Sequence, residues 1–164
     1  MKMKHKRIVL VGPTCAGKTF IRDKFRDKGY KIDVSYTSRS PRENEKDGID
    51  YHFITKKEFE SNIKNNLFYE WVRYGDNYYG TGKFEWENSD VFIMETSGIK
   101  KIWLEDRENT VVILVTTPYV IRYDRMKCRG WDDKKIEERV QVDNQKFENF
   151  KDYDIEMQSY ETFI

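Results

Sequence analysis

The chain has little of what metal centres, disulfide scaffolds and membrane spans are built from. Two cysteines, Cys15 and Cys128, and two histidines occur in 164 residues. They are too few and too scattered for a Cys/His zinc site, and two distant thiols fit a reducing compartment. No hydrophobic run approaches a membrane span. The basic opening MKMKHKR leads into only Ile8-Val9-Leu10-Val11 before Gly12-Pro13, too short for the core of a secretory signal. An excess of one charge is also missing: 30 Lys+Arg against 29 Asp+Glu leave a net +1. Domains that grip a nucleic-acid backbone usually carry a basic excess. These absences predict a cytoplasmic protein that binds neither nucleic acid nor membrane. They leave room for a local basic pocket that takes a small polyanion.

What is present is a well-solvated chain with bulky core material. Charged residues make up 36% and apolar ones 38%, and four Trp, eleven Tyr and ten Phe argue against disorder. The length is that of one domain. Arg7 to Val11 reads as a strand buried on both faces of a parallel sheet. Thr19 to Asp27 places Phe20, Ile21 and Phe25 on one helical face, and Gly29 sits where a helix end favours positive φ. Tyr30, Ile32 and Val34 alternate as in a second strand. Residues 35–89 have shorter apolar runs, with strands expected at Tyr51–Ile54 and Leu67–Tyr74. Between them, Thr55-Lys56-Lys57-Glu58 has the form of a capping box. Core strands return at Val91–Met94 and Val111–Val115, separated by a helix over about Ser97–Leu104. Pro118 opens a helix to about Cys128, and a longer helix from Ile136 carries Val140, Phe147 and Phe150. Such alternation predicts an α/β fold with a parallel core sheet flanked by helices. The expected division is a core of 1–34 and 90–164, a small mixed-β insert of 35–89 and a lid near 128–139.

Gly12-Pro13-Thr14-Cys15-Ala16-Gly17-Lys18-Thr19 satisfies G-x-x-x-x-G-K-[ST], the P-loop. Glycines let successive N–H groups curl round a phosphate, and the following helix turns its positive end to the anion. Lys18 is suited to reach the β- and γ-phosphates, and the Thr19 hydroxyl to ligate Mg²⁺. A Gly-rich turn alone would be unremarked, but a buried strand precedes this one and an amphipathic helix follows. Gly12, Thr14, Ala16, Gly17, Lys18 and Thr19 are therefore the candidate contacts to ATP. Further on, Arg39 and Arg42 flank Pro41 and make a fixed pair of guanidinium forks suited to a phosphate dianion. Taken alone, such a pair on a polar loop is ordinarily solvated surface.

Together these segments resemble the guanylate kinase family. That family joins a P-loop to S-x-T-[TS]-R-x-P-R, then G-x-x-Y-x-F, then a Glu and N-Y-Y-G-[TS]. This chain has VSYTSRSPR at 34–42, GIDYHF at 48–53, Glu70, and NYYGT at 77–81. The resemblance runs from about Arg7 to Arg139. It implies a P-loop NTPase fold and transfer of the ATP γ-phosphoryl to GMP or dGMP, by a monomer or homodimer. It also implies that Arg39, Arg42, Tyr51 and Tyr79 hold the acceptor phosphate, while Ser35, Glu70 and Thr81 read the guanine. Arg125, Arg129 and Arg139 match lid arginines that close over ATP and neutralise the phosphoryl group in flight. An ordinary solvated helix face is the competing reading for Arg125.

Glu70 also has its own physical argument. Guanine offers two adjacent donors, N1–H and the 2-amino group, which one carboxylate can accept together. Adenine has an acceptor at N1 and would face carboxylate lone pairs. The hydroxyls of Ser35 and Thr81 can donate to guanine O6.

The chain departs from the family at several points. Where two acids are usual on the third core strand, it has Ile93 and Glu95, so only Glu95 stands for an acid. The helix after NYYGT and the lid are shortened, and the last strand, around Ile155–Gln158, is a poorer match. The trimmed form suggests a short, divergent member of phage type. Two other readings stay open: a kinase of the same architecture acting on a modified nucleotide or a sugar phosphate, and a non-catalytic binding module.

Overall fold

The computed structural model describes residues 6–159; residues 1–5, in the basic opening, and 160–164 lie outside the described residues. Two four-stranded sheets organise them. The first has the order β6-β1-β7-β8, with β1 (Arg7–Val11), β6 (Val91–Ile93), β7 (Thr110–Thr116) and β8 (Ile155–Gln158) all parallel. The second has the order β3-β2-β5-β4 and is mixed: β2 (Tyr36–Thr37), β3 (His52–Phe53), β4 (Phe68–Tyr74) and β5 (Asn77–Gly82). The fold matches the expectation of a parallel core with a small mixed insert.

Three strands of the core sheet, β1, β6 and β7, are apolar on both faces, as a parallel sheet covered by helices requires, while β8 at its edge is largely exposed. Val9, Leu10 and Val11 are wholly buried, as are Val91, Phe92, Val112 and Val115. α1 (Lys18–Asp27) covers one face with Ile21 and the partly buried Phe25. On the other face Trp86, Ile99 and Ile102 pack with Val9, Phe92 and Val112. Phe20, expected on the packed stripe of α1, is instead 49% exposed and turns to the central cavity.

Several elements are shorter than their sequence patterns suggest. The strand expected around Tyr30–Val34 is a single bridge, Ile32 to Val91, at the edge of the sheet. Lys31 N–H is diverted to the Asp90 carboxylate at 2.8 Å, which stops the ladder. The helix expected over Ser97–Leu104 splits into α4 (Thr96–Ile99) and α5 (Leu104–Arg107). Trp103 between them is extended (φ -64, ψ 144), and its N–H goes to the Tyr69 hydroxyl at 3.1 Å. α2 (Lys56–Lys64) opens with the expected capping box, and Phe59 is its wholly buried anchor. α3 (Lys83–Asn88) is one and a half turns long. α6 (Tyr119–Cys128) follows Pro118, and α7 (Asp133–Phe147) starts three residues earlier than expected because Asp132 caps it, accepting from Lys135 N–H at 2.8 Å.

Candidate active site

The segment between β1 and α1 is held by backbone geometry. Gly12 packs against β7 so closely that a Cβ there would lie 2.2 Å from Val115 O. Gly17 has φ +99, and a Cβ on it would meet the Ser159 side chain at 2.8 Å. Thr117 Oγ1 donates to Ala16 O at 2.8 Å, and Arg125 of α6 donates to Cys15 O at 2.8 Å. Inside the loop Lys18 Nζ donates to Gly12 O (2.5 Å) and Pro13 O (3.0 Å). Burial pulls the Lys18 ammonium down to about 8, opposed by the carboxylates of Glu95 and Asp143. A half-buried ammonium at the cavity wall, bonded to no carboxylate among the described residues, is poised for an incoming polyanion.

The loop opens on a cavity of about 1120 Å³ that lies between the two sheets. Of the residues singled out from sequence, Thr14, Ala16, Gly17, Lys18 and Thr19 line it at one end. Ser35, Arg39, Arg42, Tyr51, Glu70 and Tyr79 line the insert side. Glu95, Arg125, Arg129 and Arg139 close the remaining wall. Gly12 and Thr81 stand behind the lining: Gly12 is packed on β7, and Thr81 reaches the cavity through Glu70.

On the insert side, Arg39 is gripped by Glu45, with Nη1 to Oε2 at 2.7 Å and Nη2 to Oε1 at 2.9 Å. Its guanidinium carbon lies 5.3 Å from the centre of the Tyr51 ring. Glu45 also accepts from Arg42 N–H at 2.8 Å, and the two arginines hold its carboxyl below its usual range although burial alone would raise it. The Arg42 side chain is 54% exposed and only 3.9 Å from Glu45 Oε1, so one fork is fixed and the other is not.

Glu70 on β4 is 6% exposed and accepts from the Thr81 hydroxyl on β5 at 2.9 Å. A Cβ on Gly98 would come within 2.8 Å of Glu70 Oε2, so the glycine at α4 makes room for the carboxylate. Burial pushes Glu70 up to about 7, with the Thr81 bond and Lys101 opposing. Ser35 Oγ donates to Asp33 Oδ2 behind the lining. Ile93 occupies the wall beside Glu95, whose Oε2 is 2.6 Å from Lys146 Nζ.

The lid side is tied by Asp143, only 2% exposed on α7. Its carboxylate receives Thr14 N–H (2.8 Å), the Thr14 hydroxyl (3.3 Å), Arg122 Nη1 (3.5 Å) and Arg139 Nε (3.3 Å). Arg139 also donates to Thr14 Oγ1 and to the hydroxyl of Tyr74, whose ring centre lies 4.7 Å from its guanidinium. Arg129 is exposed at the cavity mouth. Sequence reasoning missed Glu45, Asp143, Tyr74 and Asp33. Asp143 had a visible signal, since it stands four residues after Arg139 on one helix. Glu45 and Tyr74 had none, because their partners are met only in the folded chain.

A Mg²⁺ ion fits this donor set modestly. Thr19 is exposed at the helix start and Glu95 stands across the cavity. No cluster of three or more His, Cys, Asp or Glu able to hold a metal occurs among the described residues. Such a site suits an ion that keeps its waters and takes its remaining ligands from phosphates. No helix among the described residues is long and apolar enough to cross a membrane.

Comparison with known proteins agrees with this geometry. A family model described as guanylate kinase matches residues 4–161. The chain is 38% identical over 158 residues to a guanylate kinase of Onion yellows phytoplasma, covering 90% of this chain and 74% of that one. It is 34% identical to the guanylate kinase of Bacillus subtilis, covering 94% of this chain and 80% of that one. The crystal structure of guanylate kinase from Anaplasma phagocytophilum superposes with a TM-score of 0.70 at 21% identity, covering 96% of this chain and 78% of that one.

Proposed function

The chain belongs to the guanylate kinase family and moves the γ-phosphoryl of ATP to GMP; we propose that it does so in the cavity between the two sheets, with residues 35–89 holding the acceptor. ATP lies on the loop 12–19, its β- and γ-phosphates at Lys18 and the N–H groups that open α1. GMP lies across the cavity, its phosphate on Arg39, Arg42, Tyr51 and Tyr79 and its base against Glu70, Ser35 and Thr81.

An oxygen of the GMP phosphate attacks the γ-phosphorus in line, and the bond to the β,γ-bridging oxygen breaks, giving ADP and GDP. The attacking oxygen is already anionic, so the step needs no general base. It needs alignment and positive charge. Lys18, Arg129 and Arg139 supply that charge, and Arg125 fixes the loop through Cys15 O. Thr19 would hold Mg²⁺, and a bound ion would neutralise the donor phosphates. The arginines lie on both sides of the cavity, so the insert and lid must close for the charges to converge. None of the assigned contacts reads the 2′-position, so dGMP is the acceptor to compare with GMP.

The buried pairing of Glu70 with Thr81 carries the choice of guanine. A carboxylate held dry at a cavity wall is matched to two neighbouring donors and repels an acceptor. The test is an ADP-release assay over GMP, dGMP, AMP, CMP and TMP. Turnover confined to the guanine nucleotides supports the reading, and equal turnover of AMP removes it.

A further inference from the structure

Asp33 lies just behind the wall that faces the base. It follows Ile32, which bridges to Val91, and its N–H is used by Val91 O at 2.9 Å. The side chain is 7% exposed. Oδ2 accepts the Ser35 hydroxyl, while Oδ1 is buried without a hydrogen-bond partner. Ser35 lines the cavity and Asp33 does not, so whatever Asp33 does for a bound base it does through Ser35.

A serine hydroxyl has one proton to give. While Asp33 is a carboxylate, that proton points back to Oδ2, and Ser35 offers a ligand only lone pairs. Guanine presents an oxygen at position 6, which is also an acceptor. Thr81 meets the same conflict with a different way out. Its proton rests on Glu70 Oε1 at 2.9 Å, and once guanine N1–H and the 2-amino group occupy the Glu70 oxygens, the threonine is free to turn to O6. Ser35 is released only if Asp33 gains a proton. Neutral Asp33 can then donate to Ser35 Oγ, and Ser35 can donate to O6.

We propose that Asp33 sets the hydrogen-bonding polarity of Ser35 towards the purine 6-position, and that a 6-oxo purine nucleotide binds with uptake of one solvent proton by Asp33. The inference rests on the assignment of guanine to the Glu70 wall. The surroundings favour the uptake. Burial is the largest influence on Asp33 and pushes it up to about 7; Glu85 of α3 and Glu70 of β4 push the same way, while the Ser35 bond and Arg22 of α1 oppose them. Asp33 is thus a positioning residue that contributes to base specificity.

Calorimetric titration with GMP in the absence of ATP, at pH 8 in two buffers of different ionisation enthalpy, tests this. The secondary ionisation of a phosphate monoester lies near about pH 6, so GMP enters as the dianion. The wild-type protein should take up about one more proton per GMP than Asp33→Asn does. The asparagine amide donates to Ser35 permanently, so this variant should bind GMP several-fold more tightly at pH 8. Between pH 7.5 and 8.5 the wild-type Kd should rise, by up to ~10-fold per unit, and that of Asp33→Asn should stay flat. Ser35→Ala should bind GMP more weakly and lose the extra proton. The same proton count in wild type and Asp33→Asn, or weaker GMP binding by Asp33→Asn at pH 8, would overturn the inference and leave the guanine assignment standing. No binding of GMP at all would overturn both.

Discussion

Thr14 and Asp143, 129 positions apart in the chain, are joined twice: the Thr14 N–H reaches Asp143 Oδ2 at 2.8 Å and its hydroxyl reaches Oδ1 at 3.3 Å. The same buried carboxylate faces Arg122 and Arg139, so one side chain ties the loop 12–19 to both α6 and α7. Asp143→Ala would strand Arg122, whose side chain is 9% exposed and whose Nε already lacks a partner. Removing one member of a buried ion pair costs ~3–5 kcal/mol. Urea unfolding should show a loss of that size, with kcat reduced in the protein that remains folded. Asp143→Asn, which keeps an acceptor for Thr14 N–H, should lose less. A variant Asp143→Ala as stable as wild type would show that the carboxylate is not the tie.

Lys18 is expected to matter for turnover far more than for folding. Its two bonds to Gly12 O and Pro13 O are made to a turn that Gly17 and the Thr117 bond already fix. Lys18→Met gives up these two bonds but also removes an ammonium that burial disfavours, effects of opposite sign, so the melting temperature should stay near wild type while kcat falls by orders of magnitude. Wild-type turnover in a folded Lys18→Met would exclude the loop from the chemistry.

The two lid arginines should separate from each other. Arg129 is exposed and Arg139 is already bonded to Thr14, Asp143 and Tyr74. Arg129→Ala should leave the melting temperature unchanged and lower kcat with little change in KM for GMP, because its charge counts when the phosphoryl is between donor and acceptor. Arg139→Ala should lower kcat and the melting temperature together. A rise confined to KM for GMP would assign them to substrate binding.

Much of this was legible in the sequence, because it rests on local chemistry. The P-loop spacing, the capping box at Thr55 and the apolar runs of β1 and β7 each depend on neighbours in the chain. Glu70 and Thr81 were both singled out as readers of the guanine by the family resemblance, though not the hydrogen bond between them. What stayed hidden depends on contacts that follow no helix or strand period, most of them between segments far apart in the chain. Tyr74 gave no sign that it would touch Arg139, nor Glu45 that it would fill the fork of Arg39. Lys31 and Trp103 shortened their elements by giving their N–H groups to Asp90 and Tyr69, partners that no period in the sequence announces.

Glu70 carries a stability cost that follows from its position. Its folded value, about 7, lies above the model-peptide value of 4.5. The folded state therefore binds more protons than the unfolded chain between those limits, and this group's contribution to stability falls as pH rises from about 4.5 to 7. A shift of that size corresponds to ~3 kcal/mol at most. Glu70→Gln, which removes the buried charge, should raise the melting temperature at pH 8, and the gain should vanish towards pH 4.5. A variant Glu70→Gln less stable than wild type at pH 8 would mean that the carboxylate is better satisfied than its bonds to Thr81 imply.

The most direct test of base selection by Glu70 is kcat/KM for GMP, IMP and AMP, measured for wild type and Glu70→Gln at pH 8. Wild type should prefer GMP over AMP strongly, by as much as ~10⁴-fold where buried polar groups would be left unpaired. Glu70→Gln turns one accepting oxygen into a donor, so GMP should lose at least the ~1–3 kcal/mol of an unsatisfied buried group. IMP, which keeps N1–H and lacks the 2-amino group, should lose less. A wild-type enzyme indifferent to guanine and adenine, or a Glu70→Gln variant with unchanged kcat/KM for GMP, would contradict the account.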